Sequence, residues 1–125
     1  MTIDCKKGEH CKKQGLNLLT GPGNDIVSTT NLTAAGANII LFTTGRGTPL
    51  GASVPTIKVA SNSRLAKRKS NWIDFNAGEL IESNDFENMT EEIFKLLIDI
   101  TSGRQTKNEQ NGYRDISIFK DGVIM

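Results

Sequence analysis

The stretch Leu16–Thr43, LNLLTGPGNDIVSTTNLTAAGANIILFT, decides the fold of this chain. The apolar segment 16–20 predicts a strand, and the following Gly-Pro-Gly ends it, because proline has no N–H for a strand ladder. The segment 26–35 predicts a helix, with Asn24-Asp25 as its N-cap and Gly36 at its C-terminal end. The run 38–43 is almost entirely apolar, as expected for a buried parallel strand. The stretch therefore predicts a strand–helix–strand unit.

The rest of the chain continues the alternation of strands and helices. Further strands are predicted at 56–60, 71–75 and 116–123, and helices at 64–69 and 88–103, the last with an apolar stripe at helical spacing and a start at Asn88. This order predicts an α/β fold with a mostly parallel sheet flanked by helices, in a Rossmann-like three-layer topology.

Composition sets the broad class of the protein. The 125 residues suffice for one domain, and a formal net charge of +1 argues against a general nucleic-acid binder. No apolar run reaches the roughly 18 residues of a membrane span. The charge is unevenly distributed, because residues 1–70 carry ten basic and three acidic groups, whereas residues 71–125 carry five and eleven. This asymmetry indicates either two oppositely charged solvated faces or a cationic rim around a site for an acidic small molecule.

Residues 1–14 are polar and rich in lysine, and we interpret them as a lead-in or linker before a domain at 15–125. Cys5 and Cys11 lie around His10, the only histidine. The expectation is two reduced thiols in a cytoplasmic protein, since a metal clip of these three residues lacks the paired spacing of zinc sites.

Three polar loops follow predicted strands, at 21–25, 43–55 and 76–78. Ligands of parallel α/β sheets bind where loops leave the carboxyl ends of the strands. We therefore expect the three loops to converge on one small-molecule site.

The loop after the second strand contains Gly45-Arg46-Gly47-Thr48-Pro49-Leu50-Gly51. Its third glycine comes one residue too late for a dinucleotide fingerprint, and its proline blocks the helix that should follow. An anion clamp fits better: Arg46 can bind a carboxylate bidentately, Gly45 and Gly47 expose N–H groups, and hydroxyls come from Thr43, Thr44 and Thr48. The alternative is a surface turn with an exposed arginine.

Other candidate residues each have a functional and a structural interpretation. Lys58 lies inside an apolar strand, so it is either a catalytic lysine facing a polar cavity or a lysine that protects a sheet edge. Asn24 stands at a helix N-terminus, where it either contacts an anion or only caps the helix. Asp74 and Asn76 share one face of a strand end, where they orient substrate hydroxyls or merely form a turn.

Five segments, in this order, resemble the C-terminal region of the altronate/galactarate dehydratase family: 21–25, 42–49, 54–62, 72–78 and 108–112. The resemblance covers residues 15–125, and the loop 45–49 together with 108–112 favours the altronate-acting members. Since family members are several times longer, the resemblance implies that the chain is the C-terminal domain of a larger enzyme and inactive alone. Its remaining partners would be the other domains of that enzyme, with a homo-oligomer left open.

The activity implied by the resemblance is a hydro-lyase reaction that dehydrates D-altronate to 2-dehydro-3-deoxy-D-gluconate in hexuronate catabolism. Galactarate or a related sugar acid is the alternative substrate, and a stand-alone small-molecule binding module is the alternative class. The resemblance also implies Fe(II) or Mn(II), bound mainly outside this chain, since the sequence shows no convincing ligand set. The resemblance further implies that Lys58 and Arg46 are the catalytic groups. The loop threonines, the N–H groups of Gly45 and Gly47, and the side chains of Asn24, Asp74 and Asn76 would bind the substrate.

Overall fold

The computed structural model describes residues 3–118, which form an α/β fold with two small parallel sheets. The strands are β1 (Ile3–Cys5), β2 (Asn17–Leu19), β3 (Ile40–Thr44), β4 (Thr56–Ala60) and β5 (Phe75–Asn76). The helices are α1 (Asp25–Ala34), α2 (Ser63–Arg68), α3 (Glu79–Ser83), α4 (Phe86–Thr101) and α5 (Lys107–Gln110). No helix within the described residues is long and apolar enough to cross a membrane.

The central sheet has the strand order β3-β4-β5, and both pairings are parallel. All five residues of β4 are buried because a layer of helix covers each face of the strand. Ile57 and Val59 pack against α4 through Ile100, whereas Ala60 on the opposite face packs against Leu65 of α2. This arrangement confirms the predicted α/β class and its three-layer topology.

The second sheet pairs β1 with β2 in parallel, with Cys5 opposite Leu19. The interpretation of residues 1–14 as a lead-in without structure missed β1. Three residues give too short a pattern for period-two alternation to be recognised, and the pairing that stabilises the strand depends on a segment twelve residues away. The strand–helix–strand unit is present, but its two strands lie in different sheets rather than one.

The expectation of two reduced thiols was wrong, since Cys5 and Cys11 form a disulfide, with 6.2 Å between their Cα atoms. A turn after Lys6 reverses the chain, where the N–H of Glu9 donates to the carbonyl of Lys6. The backbone N–H of Cys11 then donates to the carbonyl of Ala35 at the end of α1. The N-terminal segment is thereby attached to the domain.

The long helix α4 shows the predicted apolar stripe, but it begins at Phe86 rather than Asn88. Its N-cap is Asp85, whose carboxylate accepts the N–H of Asn88 at 3.1 Å. Aspartate is a favoured N-cap residue, so the helix is capped three residues earlier than predicted. Boundaries elsewhere differ by similar amounts, and β4 is observed at its predicted limits.

Other sequence predictions need larger corrections. In place of the strand predicted at 71–75, only β5 is found, because the chain turns before it: the N–H groups of Trp72 and Ile73 donate to the Lys69 carbonyl. The short helices α3 and α5 were not predicted, since four or five residues carry no measurable periodicity. Residues 116–118 are not in a strand, and the remainder of the predicted strand 116–123 lies outside the described residues.

A close approach between the loop after β5 and the start of α2 requires glycine at position 78. A Cβ built on Gly78 would overlap the backbone of Asn62 and Ser63, and backbone atoms cannot rotate away as a side chain can. This contact fixes the spacing of two loops at the carboxyl edge of the sheet.

We therefore expect Gly78→Ala to lower the free energy of unfolding by about 3 kcal/mol or more, because a rigid overlap exceeds ordinary overpacking. Gly23→Ala is the matched control, since a Cβ added at Gly23 would meet no atom within 4 Å and the residue has no positive φ. Urea unfolding of both variants measures the difference, and equal stability would show that the loops separate freely.

Candidate functional site

The carboxyl edge of the central sheet brings two of the predicted loops together. The register pairs Thr44 with Ala60 and Ala60 with Asn76, so the ends of β3 and β5 flank the end of β4. Adjacent strands lie about 4.8 Å apart, which places Thr44 and Asn76 about 10 Å from each other. The predicted convergence of the second and third loops is therefore present in the fold.

A cavity of about 460 Å³ opens at this edge, between the loop after β3 and helix α2. Its lining residues are Gly45, Arg46, Asn62, Arg64, Leu65, Arg68 and Lys69. Four of the seven side chains are cationic and none is acidic. The lining therefore favours a small anion.

The loop beside the cavity is held by its own hydrogen bonds. The hydroxyl of Thr44 accepts the N–H of Gly47 at 2.9 Å, and Gly47 has a φ of +83°, a conformation that glycine adopts without strain. The side-chain amide of Asn62 donates to the carbonyl of Gly45 at 3.2 Å. Since Asn62 also caps α2, the loop and the helix are positioned by the same residue.

Lys58 is completely buried on the α2 face of the sheet, with 0% of its surface exposed. Its ammonium donates to the carbonyl of Thr48 at 2.8 Å and lies 4.6 Å from the centre of the Phe42 ring. An ammonium has three N–H groups, and in water all three are hydrogen-bonded. With only these two contacts, the Lys58 ammonium is less well solvated than it would be in water. The edge-strand interpretation of this lysine does not apply, because β4 is the central strand.

Burial lowers the pKa of Lys58 from 10.5 to about 8. Three carboxylates oppose that shift, in the order Asp25, Asp74 and Asp115, because a nearby negative charge favours the ammonium. None of the three forms a close ion pair with Lys58 among the described residues. A lysine with a pKa near 8 exchanges protons close to neutral pH, which an ordinary lysine does not.

Asp74 stabilises the backbone around Lys58. One carboxylate oxygen accepts the N–H of Lys58 at 2.8 Å, and the other accepts the N–H of Lys107 at 2.9 Å. The N–H of Asp74 in turn donates to the carbonyl of Lys58 at 3.0 Å. Both oxygens are engaged, so the geometry favours a structural role for Asp74 over contact with a substrate hydroxyl.

Asn76 is also engaged within the fold. Its amide donates to Glu79 at 2.9 Å and to Ser63 at 3.2 Å, while its oxygen accepts the N–H of Gly78 at 3.1 Å. In the loop after β3, the Thr48 hydroxyl accepts the N–H of Leu50 at 3.4 Å, and Thr43 is exposed at the strand end.

Asn24 follows β2 of the second sheet and does not line the cavity. Its side chain accepts the N–H of Val27 at 3.5 Å and caps α1, which is the structural alternative weighed for it. Of the predicted site residues, Gly45 and Arg46 line the cavity. The first loop contributes to the site electrostatically, through the charge of Asp25 on Lys58.

Sequence reasoning missed Arg64, Arg68 and Lys69 as site residues. The run 64–69 predicted a basic helix, and Arg64 and Arg68 are spaced four residues apart, so they share one helix face. That spacing was the available signal. It could not show that the face would turn toward Arg46, because the orientation of α2 depends on the packing of Leu65 against Ala60 and Ile73.

A metal site was expected outside this chain. Within residues 3–118, no group of three or more His, Cys, Asp or Glu side chains is placed to hold a metal ion. The residues described here therefore do not fit an iron or manganese centre on their own.

A buried polar cluster lies near the other end of β4. Thr56, Thr106 and Asn108 are each about 1% exposed, and the Asn108 amide donates to the carbonyl of Thr56 at 3.2 Å. The Asn108 oxygen has no hydrogen-bond partner among the described residues. This hydrogen bond joins α5 to the first residue of β4.

Comparison with known proteins gives a family for this arrangement. The family model described as D-galactarate/Altronate dehydratase, C-terminal, matches residues 3–124. Altronate dehydratase of Escherichia coli strain K12 is 49% identical over 118 residues, which are 94% of this chain and 24% of that protein. Altronate dehydratase of Bacillus subtilis strain 168 is 47% identical over 121 residues, 96% of this chain and 24% of that protein.

A third relative carries a different substrate in its name. Galactarate dehydratase (L-threo-forming) of Escherichia coli strain K12 is 34% identical over 121 residues, 94% of this chain and 23% of that protein. The chain therefore spans about a quarter of the length of the curated relatives that it matches.

The two hydrogen bonds of the Asp74 carboxylate predict a large effect on stability. Asp74→Asn replaces one acceptor by an NH₂ group and leaves a backbone N–H facing a donor, which should cost about 1–3 kcal/mol of unfolding free energy. Asp99→Asn is the control, because Asp99 pairs with Arg104 at the surface and should change stability by less than about 1 kcal/mol. Similar losses in both variants, measured by urea unfolding, would contradict the structural role of Asp74.

The lowered pKa of Lys58 predicts a pH dependence of stability. Between pH 8 and 10.5 the unfolded chain keeps this proton and the folded chain releases it, so unfolding free energy should rise with pH across that window. Below pH 8 the contribution should be constant and unfavourable. The measurement is the difference in unfolding free energy between the native chain and Lys58→Met at pH values of about 7.5 and 9.5, on either side of the lowered pKa. A difference that does not change with pH would show an ordinary lysine.

Proposed function

This chain belongs to the D-galactarate/altronate dehydratase family, as a C-terminal domain. On that basis we propose that it is part of a hydro-lyase that acts on a sugar acid. The proposed reaction is the dehydration of D-altronate to 2-dehydro-3-deoxy-D-gluconate in hexuronate catabolism. The names of the two relatives at 49% and 47% identity support altronate as the substrate. Galactarate is the second candidate, supported by the relative at 34% identity.

The observation that carries the proposal is the cationic cavity at the carboxyl edge of the sheet. Arg46 lines it beside α2, in a loop whose shape is held by Thr44, Gly47 and Asn62. A guanidinium in a fixed loop suits the planar carboxylate of an aldonate, because two parallel N–H···O bonds orient it. We therefore assign Arg46 to the substrate carboxylate.

The chemistry explains why cations are needed. Dehydration removes a proton from the carbon beside the carboxylate and the hydroxyl from the next carbon, giving a 2-keto-3-deoxy acid and one water. The proton is weakly acidic, so its loss requires a base and stabilisation of the doubly charged enediolate. In this chain, cations beside the carboxylate supply part of that stabilisation.

Lys58 is the proposed proton carrier or second cation of the domain. Its pKa of about 8 leaves a fraction of the side chain neutral at pH 7, as a base requires. Thr48, whose carbonyl holds the Lys58 ammonium, is one residue from Gly47, which lies beside Leu65 of the cavity lining. A shift of the loop after β3 would therefore change both the Lys58 contact and the cavity.

The metal remains a prediction from the family resemblance. We propose Fe(II) or Mn(II) in the complete enzyme, with ligands mainly from its other domains, where the ion would act as a Lewis acid on the developing charge. Those other domains are also the proposed partners of this one, because the matched region is 24% of each altronate dehydratase. A cytoplasmic location and a homo-oligomer remain predictions.

The test is keto-acid formation by the intact enzyme that carries this domain, measured against a panel of aldonates and aldarates. Altronate should give the highest kcat/KM. Arg46→Ala and Lys58→Ala should each lower turnover of altronate at least roughly a hundredfold, because the first removes the proposed carboxylate contact and the second the proposed proton carrier.

Arg104→Ala is the control for these variants. Arg104 is exposed and pairs with Asp99 at the surface, so turnover should stay within about twofold of the native enzyme. This 125-residue chain by itself should form no keto acid, with or without added Fe(II) or Mn(II). Near-native turnover in both site variants would remove Lys58 and Arg46 from the reaction, and no activity on any sugar acid would refute the proposed function.

A further inference from the structure

The cationic cavity contains more positive charge than one carboxylate can neutralise. Arg46, Arg64 and Arg68 all line it, and none of their guanidinium groups has a hydrogen bond or ion pair with another residue described by the structure. Lys69 differs, because its ammonium lies 4.2 Å from the centre of the Trp72 ring. Three arginines thus line one cavity without a counter-charge from the described part of the chain.

This arrangement has an energetic cost in the free protein. Arg64 and Arg68 lie four residues apart on α2, and like charges at that spacing destabilise a helix. Arg46 approaches the same space from a separate loop, which adds repulsion across the cavity. A bound anion would offset that repulsion. The cavity should therefore distinguish ligands by their negative charge.

A solvated basic face is the alternative explanation for α2. Lys67 is exposed, as Arg64 and Arg68 are, but unlike them it does not line the cavity, so it represents such a face. Arg64 and Arg68 border a concave space of about 460 Å³ with Leu65 and Gly45 between them. Concave sites with a few convergent polar groups are typical of small-ligand binding.

We propose that the cavity binds a small anion with two negative charges, at least one of them a carboxylate. Arg46 takes one charge from the β3 loop, and Arg64 with Arg68 takes the other from α2. The choice of a carboxylate rests on the proposed function; the preference for two charges rests on the cavity alone. Such an anion is either a dicarboxylic sugar acid or the enediolate that a monocarboxylic sugar acid forms on losing its proton.

The experiment titrates the ¹⁵N-labelled chain with two matched pairs of ligands and follows the amide signals of 45–47 and 64–69. Galactarate and galactonate share a carbon skeleton and differ in that one carboxylate is replaced by CH₂OH, and tartronate and glycerate differ in the same way. Galactarate carries its charges at opposite ends, whereas tartronate carries them on one carbon. The doubly charged member of at least one pair should bind at least about tenfold more tightly than its singly charged counterpart, as expected for one additional charge-assisted contact.

The two pairs distinguish the source of the dianion. A preference confined to galactarate assigns the cavity to a dicarboxylic substrate, and a preference confined to tartronate assigns it to the enediolate. A preference in both pairs supports the proposal for either source. Inorganic phosphate at the same concentration is the reference for non-specific anion binding.

Arg64→Gln/Arg68→Gln should abolish the preference for the doubly charged ligand while leaving the thermal midpoint within a few degrees. Lys67→Gln/Lys95→Gln is the matched control, because it also removes two positive charges but neither residue lines the cavity. That control should keep the preference, apart from the small loss expected from long-range charge.

Several results would overturn the proposal. The first two are equal affinity within both pairs and no binding at about 10 mM ligand, a concentration at which any specific site should be occupied. The other two are phosphate that binds as tightly as the dicarboxylates and an Arg64/Arg68 variant that keeps the preference. Displacement of galactarate by a micromolar RNA oligonucleotide would assign the cations to a macromolecule instead. None of these results bears on keto-acid formation by the intact enzyme, so the proposed function is tested separately.

Discussion

The Asp74 carboxylate is the interaction on which the surroundings of the site depend. Its two oxygens accept backbone N–H groups from Lys58 and Lys107, and its own N–H donates to the Lys58 carbonyl. It thus joins the central strand, the turn before β5 and the first residue of α5. Backbone hydrogen bonds to a carboxylate are stronger than neutral ones, so this single side chain fixes three segments that are far apart in sequence.

The position of Lys58 follows from that anchor. Because Asp74 binds both its backbone N–H and its carbonyl, Lys58 is fixed in β4 with its side chain on the α2 face, where it is 0% exposed. Desolvation of the ammonium is only partly offset by the Thr48 carbonyl, the Phe42 ring and three more distant carboxylates. A hydrophobic residue would suit the position better on stability alone, which is why a functional explanation is needed.

Sequence reasoning found the parts of this molecule whose signal is local. The strand of β4, the N-cap of α1 and the apolar stripe of α4 all depend on residues within or next to one element, and the structure contains them. The disulfide and the capping box that starts α5, formed by Thr106 and Glu109, are local as well, but neither was recognised. The pairing of β1 with β2 and the bond between Asp74 and the first residue of α5 depend on contacts between distant segments. For the same reason, Arg46 was identified from its loop, whereas Arg64 and Arg68 were not assigned to the cavity. Asn76 was rightly placed at the end of a strand, whereas Asp74 lies in the bend before β5 rather than within a strand. The hydrogen bonds of both residues to the backbone could be seen only in three dimensions.

The fold places cations of the basic half and acidic side chains of the other half on opposite faces of the central sheet. The cations of the basic half that line the cavity lie on the loop after β3 and on α2, at one face of the sheet. Acidic side chains of α4, such as Glu87, Glu91 and Glu92, are exposed on the helix that covers the opposite face. An anionic ligand is therefore attracted toward the cavity side and repelled from the α4 side, and this field acts before any contact forms. A nearly neutral protein can thus select an acidic substrate, because the separation of its charges, rather than their sum, sets the direction of approach.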